Sequence, residues 1–158
     1  AMRNLKVVQL AETDIDLMHS LLDMFGDAFN EQEVYCAARP TNAYLAELLS
    51  SSTFIALAAL VGEKVAGGIA AYELRKFEQA RSEVYIYDLA VSKEYRRQGV
   101  ATALIEALKE IALQRGAYVV FVQADLGDEP AVALYSKLGK REDVVHFDIE
   151  PGVPKRGA

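Results

Sequence analysis

The chain is poor in the residues that bind metals or form cross-links, with one cysteine, Cys36, and two histidines, His19 and His146, in 158 residues. A single cysteine excludes an internal disulfide, and no Cys/His cluster has metal-ligand spacing, so no metal is expected. Cys36 is expected to be a buried structural thiol. Long apolar runs are also lacking. The longest, residues 54–61, falls well short of the ~20 residues that a membrane-spanning helix needs. The charged N-terminal region has no secretory apolar core, so a cytoplasmic location is expected. No linker or low-complexity tract divides the chain. Its 52% hydrophobic content suits a single domain over residues 1–150, with residues 151–158 as a loose tail carrying two prolines and two glycines. Positive charge is in deficit, with 17 Lys and Arg against 23 Asp and Glu for a net charge of −6, which argues against nucleic acid as the main partner.

What is present reads as alternating helices and strands. Residues 5–10 are a first strand, and Thr13 or Asp14 can cap a helix with Leu17, Leu21 and Phe25 on one stripe. Thr41 can cap a second helix, with Tyr44, Leu45, Leu48 and Leu49 on one side. Residues 54–61 and 65–72, joined by Gly62, Glu63 and Lys64, form a hairpin whose Gly67-Gly68 pair predicts a bulge or a close backbone approach. Residues 74–82 are a polar connection into a strand at 84–91. Val100, Leu104, Leu108 and Ile111 then mark a central helix that Gly116 ends. A strand at 118–124 follows, parallel to the one before the helix because a helix crosses between them. Pro130 and Gly139 bracket a last helix, and residues 143–149 are a final strand closing the sheet.

Two features carry chemistry. Arg96-Arg97-Gln98-Gly99-Val100-Ala101 lies between a strand and a helix start, where unpaired N–H groups and a partial positive charge favour anions. Gly99 and Ala101 keep side chains out of the way there, and the arginines add cationic donors. Asp88 is the one charge in residues 84–91, and an aspartate in a buried strand costs free energy unless it is paired or reaches a cavity. A buried ion pair with an arginine and a cleft-facing acid or base are both open. Tyr85 and Tyr87 alternate with Ile86, and Tyr87 adjoins Asp88. Among Asp125, Asp128, Glu129, Glu142, Asp143, Asp148 and Glu150 only three basic residues intervene, so this end is either a solvated face or an attractor of cations. His19 reads as a surface or satisfied histidine, and His146 as one that could face a cleft.

The spacing Arg96-x-x-Gly99-x-Ala101 after a strand resembles the acyl-CoA pyrophosphate loop of the Gcn5-related N-acetyltransferases. One helix and one strand later, Ala131-x-x-Leu134-Tyr135-x-x-x-Gly139 is similar to that family's next segment. The resemblance implies an α+β fold, a mixed sheet flanked by helices with splayed parallel central strands, and acetyl-CoA as donor. It implies that the unpaired backbone of Leu89, Ala90 and Val91 meets the pantetheine and thioester. It gives the pyrophosphate to Arg96 and to the backbone of Arg97, Gln98, Gly99, Val100 and Ala101, with Thr102 behind. Tyr135 matches the family tyrosine that protonates the thiolate, although a helix tyrosine read alone is a core anchor. Asp128 stands where the family often has asparagine, and Lys140 where an aromatic is common.

A narrower likeness runs through residues 54–59, 76–91, 131–135 and 146–149, which resemble the type I aminoglycoside 3-N-acetyltransferases, the gentamicin-resistance enzymes. This likeness implies the 3-amino group of a deoxystreptamine aminoglycoside as acceptor, with Asp88 near that amine and Tyr87 beside it. The acids Asp125, Asp128, Glu129, Glu142 and Asp143 would suit such a polycation. The alternatives are a polyamine acetyltransferase, a protein N-terminal acetyltransferase, or a non-catalytic acyl-CoA sensor. A sensor has no need of Asp88 and Tyr135 together. A homodimer stays open.

Overall fold

The computed structural model describes residues 4–152, and the chain divides after residue 123 into two compact units. The first unit holds a five-stranded sheet in the order β1-β2-β3-β4-β5. Its elements are β1 (Leu5–Gln9), α1 (Ile15–Phe29), a π-helical turn (Glu33–Ala37), α2 (Asn42–Ser50), β2 (Phe54–Val61), β3 (Lys64–Arg75), β4 (Ser82–Val91), a 3₁₀ turn (Lys93–Tyr95), α3 (Val100–Gln114) and β5 (Ala117–Val122). The first three strand pairs are antiparallel, and β4 and β5 are parallel, as a crossing helix requires. No helix among the described residues is long and apolar enough to cross a membrane.

The apolar runs form strands buried on both faces because helices cover both. In β2 every residue from Phe54 to Ala59 is buried, with none of the alternation a one-sided sheet would show. The glycine pair in β3 separates the two layers. A Cβ on Gly67 would lie 2.9 Å from Val100 Cγ1 and 2.8 Å from the Ala90 carbonyl, so α3 packs on that face. A Cβ on Gly68 would overlap Leu21 Cδ1, so α1 packs on the other. The expected close approach is present on both sides, and the β2–β3 register also shifts beside it, between Ala59 and Leu60. On the α1 side, Met18, Leu21, Met24 and Phe25 join Leu45 and Leu49 of α2 and Phe54, Ala56, Ala58 and Ala90 of the sheet. Thr41 caps α2 as expected, its Oγ1 accepting from the Tyr44 N–H at 3.1 Å. Asp14 stands at the start of α1, but its carboxylate accepts from the Ala11 N–H at 2.7 Å rather than from the helix.

The expected polar connection at 74–82 is shorter than its composition suggests. Leu74 pairs with Glu83 and Arg75 with Ser82, so strand continues on both sides of a turn at residues 76–81. Polar residues are tolerated there because they pair with one another: Arg115 Nη1 meets Glu73 Oε1 at 2.8 Å, and Lys76 Nζ meets Glu83 Oε2 at 3.7 Å.

The second unit contains α4 (Glu129–Leu138), with Pro130 in its first turn. Asp128 Oδ1 accepts from the Ala131 N–H at 3.3 Å, and the Gly139 N–H donates to the Tyr135 carbonyl at 2.9 Å. The expected final strand at 143–149 does not form. A strand exists through its ladder, and among the described residues this segment makes no backbone pairing. Its polar side chains bond locally instead, Arg141 Nε to Asp143 Oδ1 at 2.7 Å and His146 Nε2 to Asp148 Oδ1 at 2.8 Å. Val144, Val145, Phe147 and Ile149 are each more than 70% exposed. Residues 153–158 of the expected tail lie outside the described residues.

Candidate active site

Strand parity decides where Asp88 points. Strict alternation along β4 would put Asp88 with Val84 and Ile86, which are buried. The register breaks first. Ala71 pairs with Ile86 and the preceding Ala70 pairs with Asp88, so Tyr87 is an extra residue with no partner, a β-bulge. The bulge resets the phase. Asp88 and Ala90 now lie opposite Ala70 and Gly68 on the α1 face, which they share with Tyr85, opposite Tyr72. Tyr87 stays on this face too, its ring 5.9 Å from both Tyr72 and Tyr85. Asp88 is therefore the carboxylate in a sheet surface paved with tyrosines.

Asp88 has no ion-pair partner among the described residues of the first unit, so of the two readings left open the arginine pair is absent there. Its Oδ2 accepts instead from the Tyr35 hydroxyl at 3.0 Å. Burial pushes the Asp88 carboxyl above the ordinary carboxylate value, the Tyr35 hydrogen bond opposes that rise, and the charge of Glu31 adds to it. Burial, then the neighbouring Asp88, holds the Tyr35 phenol well above its ordinary value, so Tyr35 stays protonated and donates. Burial likewise raises Tyr72 and Tyr85.

Tyr35 itself was not singled out in the sequence, because it lies in the polar stretch between the first two helices, where no apolar periodicity marks it. The π-helical turn presents it, and its ring rests 5.8 Å from Phe25 and 5.7 Å from Phe29. Arg39 holds its backbone, with Nε and Nη2 donating to the Tyr35 carbonyl at 3.3 and 3.2 Å. Asp23 anchors Arg39 at 2.7 Å. Arg39 Nη1 donates to His19 Nδ1 at 3.3 Å, which leaves the proton of a neutral His19 on Nε2, 2.8 Å from Asn42 Oδ1. His19 is thus satisfied, as expected. Cys36 is half-buried rather than buried, because its short turn lies at the surface with Sγ 3.9 Å from Asp23 Oδ1.

The sheet opens at the bulge. Pairing between β4 and β5 runs from Ser82 with Ala117 to Ile86 with Val122, and there it stops. Leu89, Ala90 and Val91 therefore continue β4 with no β5 partner on that edge. At the end of this edge Gly99 begins α3 at φ 82°, with nothing within 4 Å of a Cβ there and no side-chain cap on the helix. Arg97 also adopts a left-handed conformation, φ 61°. The first N–H groups of α3, on Val100, Ala101 and Thr102, thus face an open cradle. An acyl-CoA fits this donor set: free strand edge for an amide-bearing arm, then uncapped helix amides for phosphate. Arg96 closes the turn, its Nε donating to the Val91 carbonyl at 3.2 Å, which leaves the four N–H donors of its two Nη groups for an anion.

In the second unit, burial raises the Tyr135 phenol above its ordinary value, with Asp128 adding to the rise. The Tyr135 hydroxyl has no hydrogen-bond partner among the described residues, unlike a satisfied core anchor. Asp128 serves as the cap of α4, while Asp125, Glu129, Glu142 and Asp143 are exposed. His146 is exposed and bonded to Asp148.

A sequence model of the acetyltransferase (GNAT) family matches residues 16–140. N-alpha-acetyltransferase 30 of Schizosaccharomyces pombe is 40% identical over 55 residues, 35% of this chain, and the chain spans only 37% of that relative's length. A crystal structure of an aminoglycoside acetyltransferase from an uncultured soil metagenomic sample is 60% identical, with 94% of this chain and 99% of that one covered at a TM-score of 0.92. A second aminoglycoside acetyltransferase of soil metagenomic origin, crystallised in complex with sisomicin, is 32% identical, with 94% and 97% covered at a TM-score of 0.86.

Proposed function

The chain belongs to the GNAT acetyltransferase family, and from that premise we propose that it transfers acetyl from acetyl-CoA to the 3-amino group of a deoxystreptamine aminoglycoside such as gentamicin. The observation that carries the acceptor class is the likeness along nearly the whole chain to two aminoglycoside acetyltransferases, one of them holding sisomicin.

When bound, acetyl-CoA supplies an acetyl group on a thioester. The residues that would hold it are Leu89, Ala90 and Val91 along the free edge of β4, then the amides of Gly99, Val100, Ala101 and Thr102. Asp88 binds the acceptor's ammonium at its carboxylate and takes the proton, directly or through water. Desolvation supports this role, since it makes the carboxyl a stronger proton acceptor than an aspartate in water. Tyr87 and Tyr85 line the approach. The Tyr135 hydroxyl, held protonated, gives its proton to the departing sulfur. Its support is the match of residues 131–139 to the family segment and a phenol that has no hydrogen-bond partner among the described residues.

Thiol release from acetyl-CoA, measured against gentamicin, sisomicin, kanamycin, spermidine and a peptide amine, tests the acceptor class. The expected result is turnover with the aminoglycosides and a gentamicin product acetylated at the 3-amino nitrogen by NMR. Turnover confined to spermidine or to the peptide would replace this function with one of the alternatives.

A further inference from the structure

The π-helical turn places a phenol on the carboxylate that the sheet exposes. Tyr35 is delivered across 53 positions of sequence to Asp88 Oδ2, and its own backbone is pinned by two donors of Arg39. Its ring packs against Phe25 and Phe29, which also stack on each other, so the hydroxyl cannot swing away without breaking aromatic contacts. Only one carboxylate oxygen is engaged: Oδ1 accepts no hydrogen bond among the described residues of the first unit. Among the described residues of the first unit, the titratable groups around Asp88 are Tyr35 from the π-helical turn, Glu31 from the segment before it, Tyr72 from β3, and Tyr85 and Tyr87 from β4, and none of these is a cation.

From this arrangement we propose that Tyr35 is a positioning residue for acetyl transfer: its hydroxyl fixes Asp88 through Oδ2 in the charged form and turns Oδ1 toward the acceptor amine. The proposal rests on Asp88 acting as the base. Two demands on Asp88 conflict. Burial makes it a good proton acceptor but also favours premature protonation from solvent, and a donor that never ionises counters the second without adding a charge that would repel an ammonium. An arginine in place of Tyr35 would hold the carboxylate more strongly but would push away a cationic acceptor. A tyrosine supplies the hydrogen bond alone.

The test follows the carboxyl carbon resonance of Asp88 against pH in the full chain, together with the pH dependence of kcat/KM for acetyl-CoA and sisomicin. Tyr35→Phe keeps the ring on Phe25 and Phe29 and removes only the donor. Its Asp88 should titrate at higher pH than in the wild type, and kcat/KM should fall about tenfold near about pH 6 yet approach the wild-type value near about pH 8.5. Arg39→Met, which leaves the hydroxyl but frees the carbonyl, should move the titration the same way by less. A folded Tyr35→Phe protein whose Asp88 titrates as in the wild type, or whose rate loss is equal at every pH, overturns the proposal. The resonance needs no acceptor, so it separates from the kinetics. Full activity in Asp88→Asn would remove the base itself, whatever the resonance shows.

Discussion

At the scale of the residue, the proposed role of Asp88 as a base runs against its effect on stability. A carboxyl whose pKa is raised by folding binds protons more readily folded than unfolded, so it subtracts stability as pH rises through that window and above it. Asp88→Asn removes this cost and keeps an oxygen that can accept from Tyr35. At about pH 7.5 the variant is expected to melt at or above the wild-type temperature, with the difference vanishing near about pH 3, while turnover of gentamicin falls by about 10²–10⁴. Calorimetry and turnover on one preparation check both. A lower melting temperature with full activity per folded molecule would mark Asp88 as structural. Asp88 was legible in the sequence because a lone charge in an apolar run needs a reason. Tyr35 was not, because an aromatic in the stretch EQEVYCAARP has no periodic neighbours to mark it, and its partner lies 53 positions away. The only available signal was its place as the sole aromatic between the first two helices.

The elements were legible wherever period and punctuation agreed: the Thr41 cap, the α3 stripe and its Gly116 stop at φ 77° stand as read, and the β2–β3 hairpin does with a turn one residue shorter, since Lys64 already pairs with Val61. They were misread where pairing, a property of two segments, had to be inferred from one. Leu74 and Arg75 open a segment that is polar overall yet lie in a ladder, and residues 143–149 read as a strand yet have no ladder among the described residues. The cradle at Gly99 belongs to the legible class. A substitution there meets open space within the protein, so its penalties are the left-handed φ and the obstruction of an approaching anion. Gly99→Asp should thus leave a folded protein, destabilised by about 1–2 kcal/mol, whose affinity for CoA falls at least about 100-fold once the added negative charge is counted. Calorimetric titration of CoA into the variant measures this, and unchanged affinity would remove the cradle from the binding site.

At the scale of the whole molecule, the net charge of −6 sets the long-range field that a polycation meets before any contact. The Michaelis constant for gentamicin should therefore rise several-fold between about 0.03 and 0.3 M salt while kcat changes less than about twofold, because screening acts on encounter rather than on the bound pair. Steady-state kinetics across that range check it, and a flat Michaelis constant would confine recognition to short-range contacts. Legibility at this scale was uneven as well. The family's outline could be read from two motifs, but the facing of each side chain depended on a count that no motif records. Ten residues of β4, Ser82 to Val91, run against nine of β3. That surplus of one is Tyr87. A strand longer than its partner must bow, as a strip glued to a shorter one does, and β4 leaves β5 after Ile86, one residue before the surplus. Removing Tyr87 would equalise the two lengths and keep every other side chain on its present face, since Ile86 and Asp88 already pair with consecutive residues of β3. The open edge of the sheet is thus a mismatch in arithmetic, stored in a single residue whose side chain need contribute nothing to it.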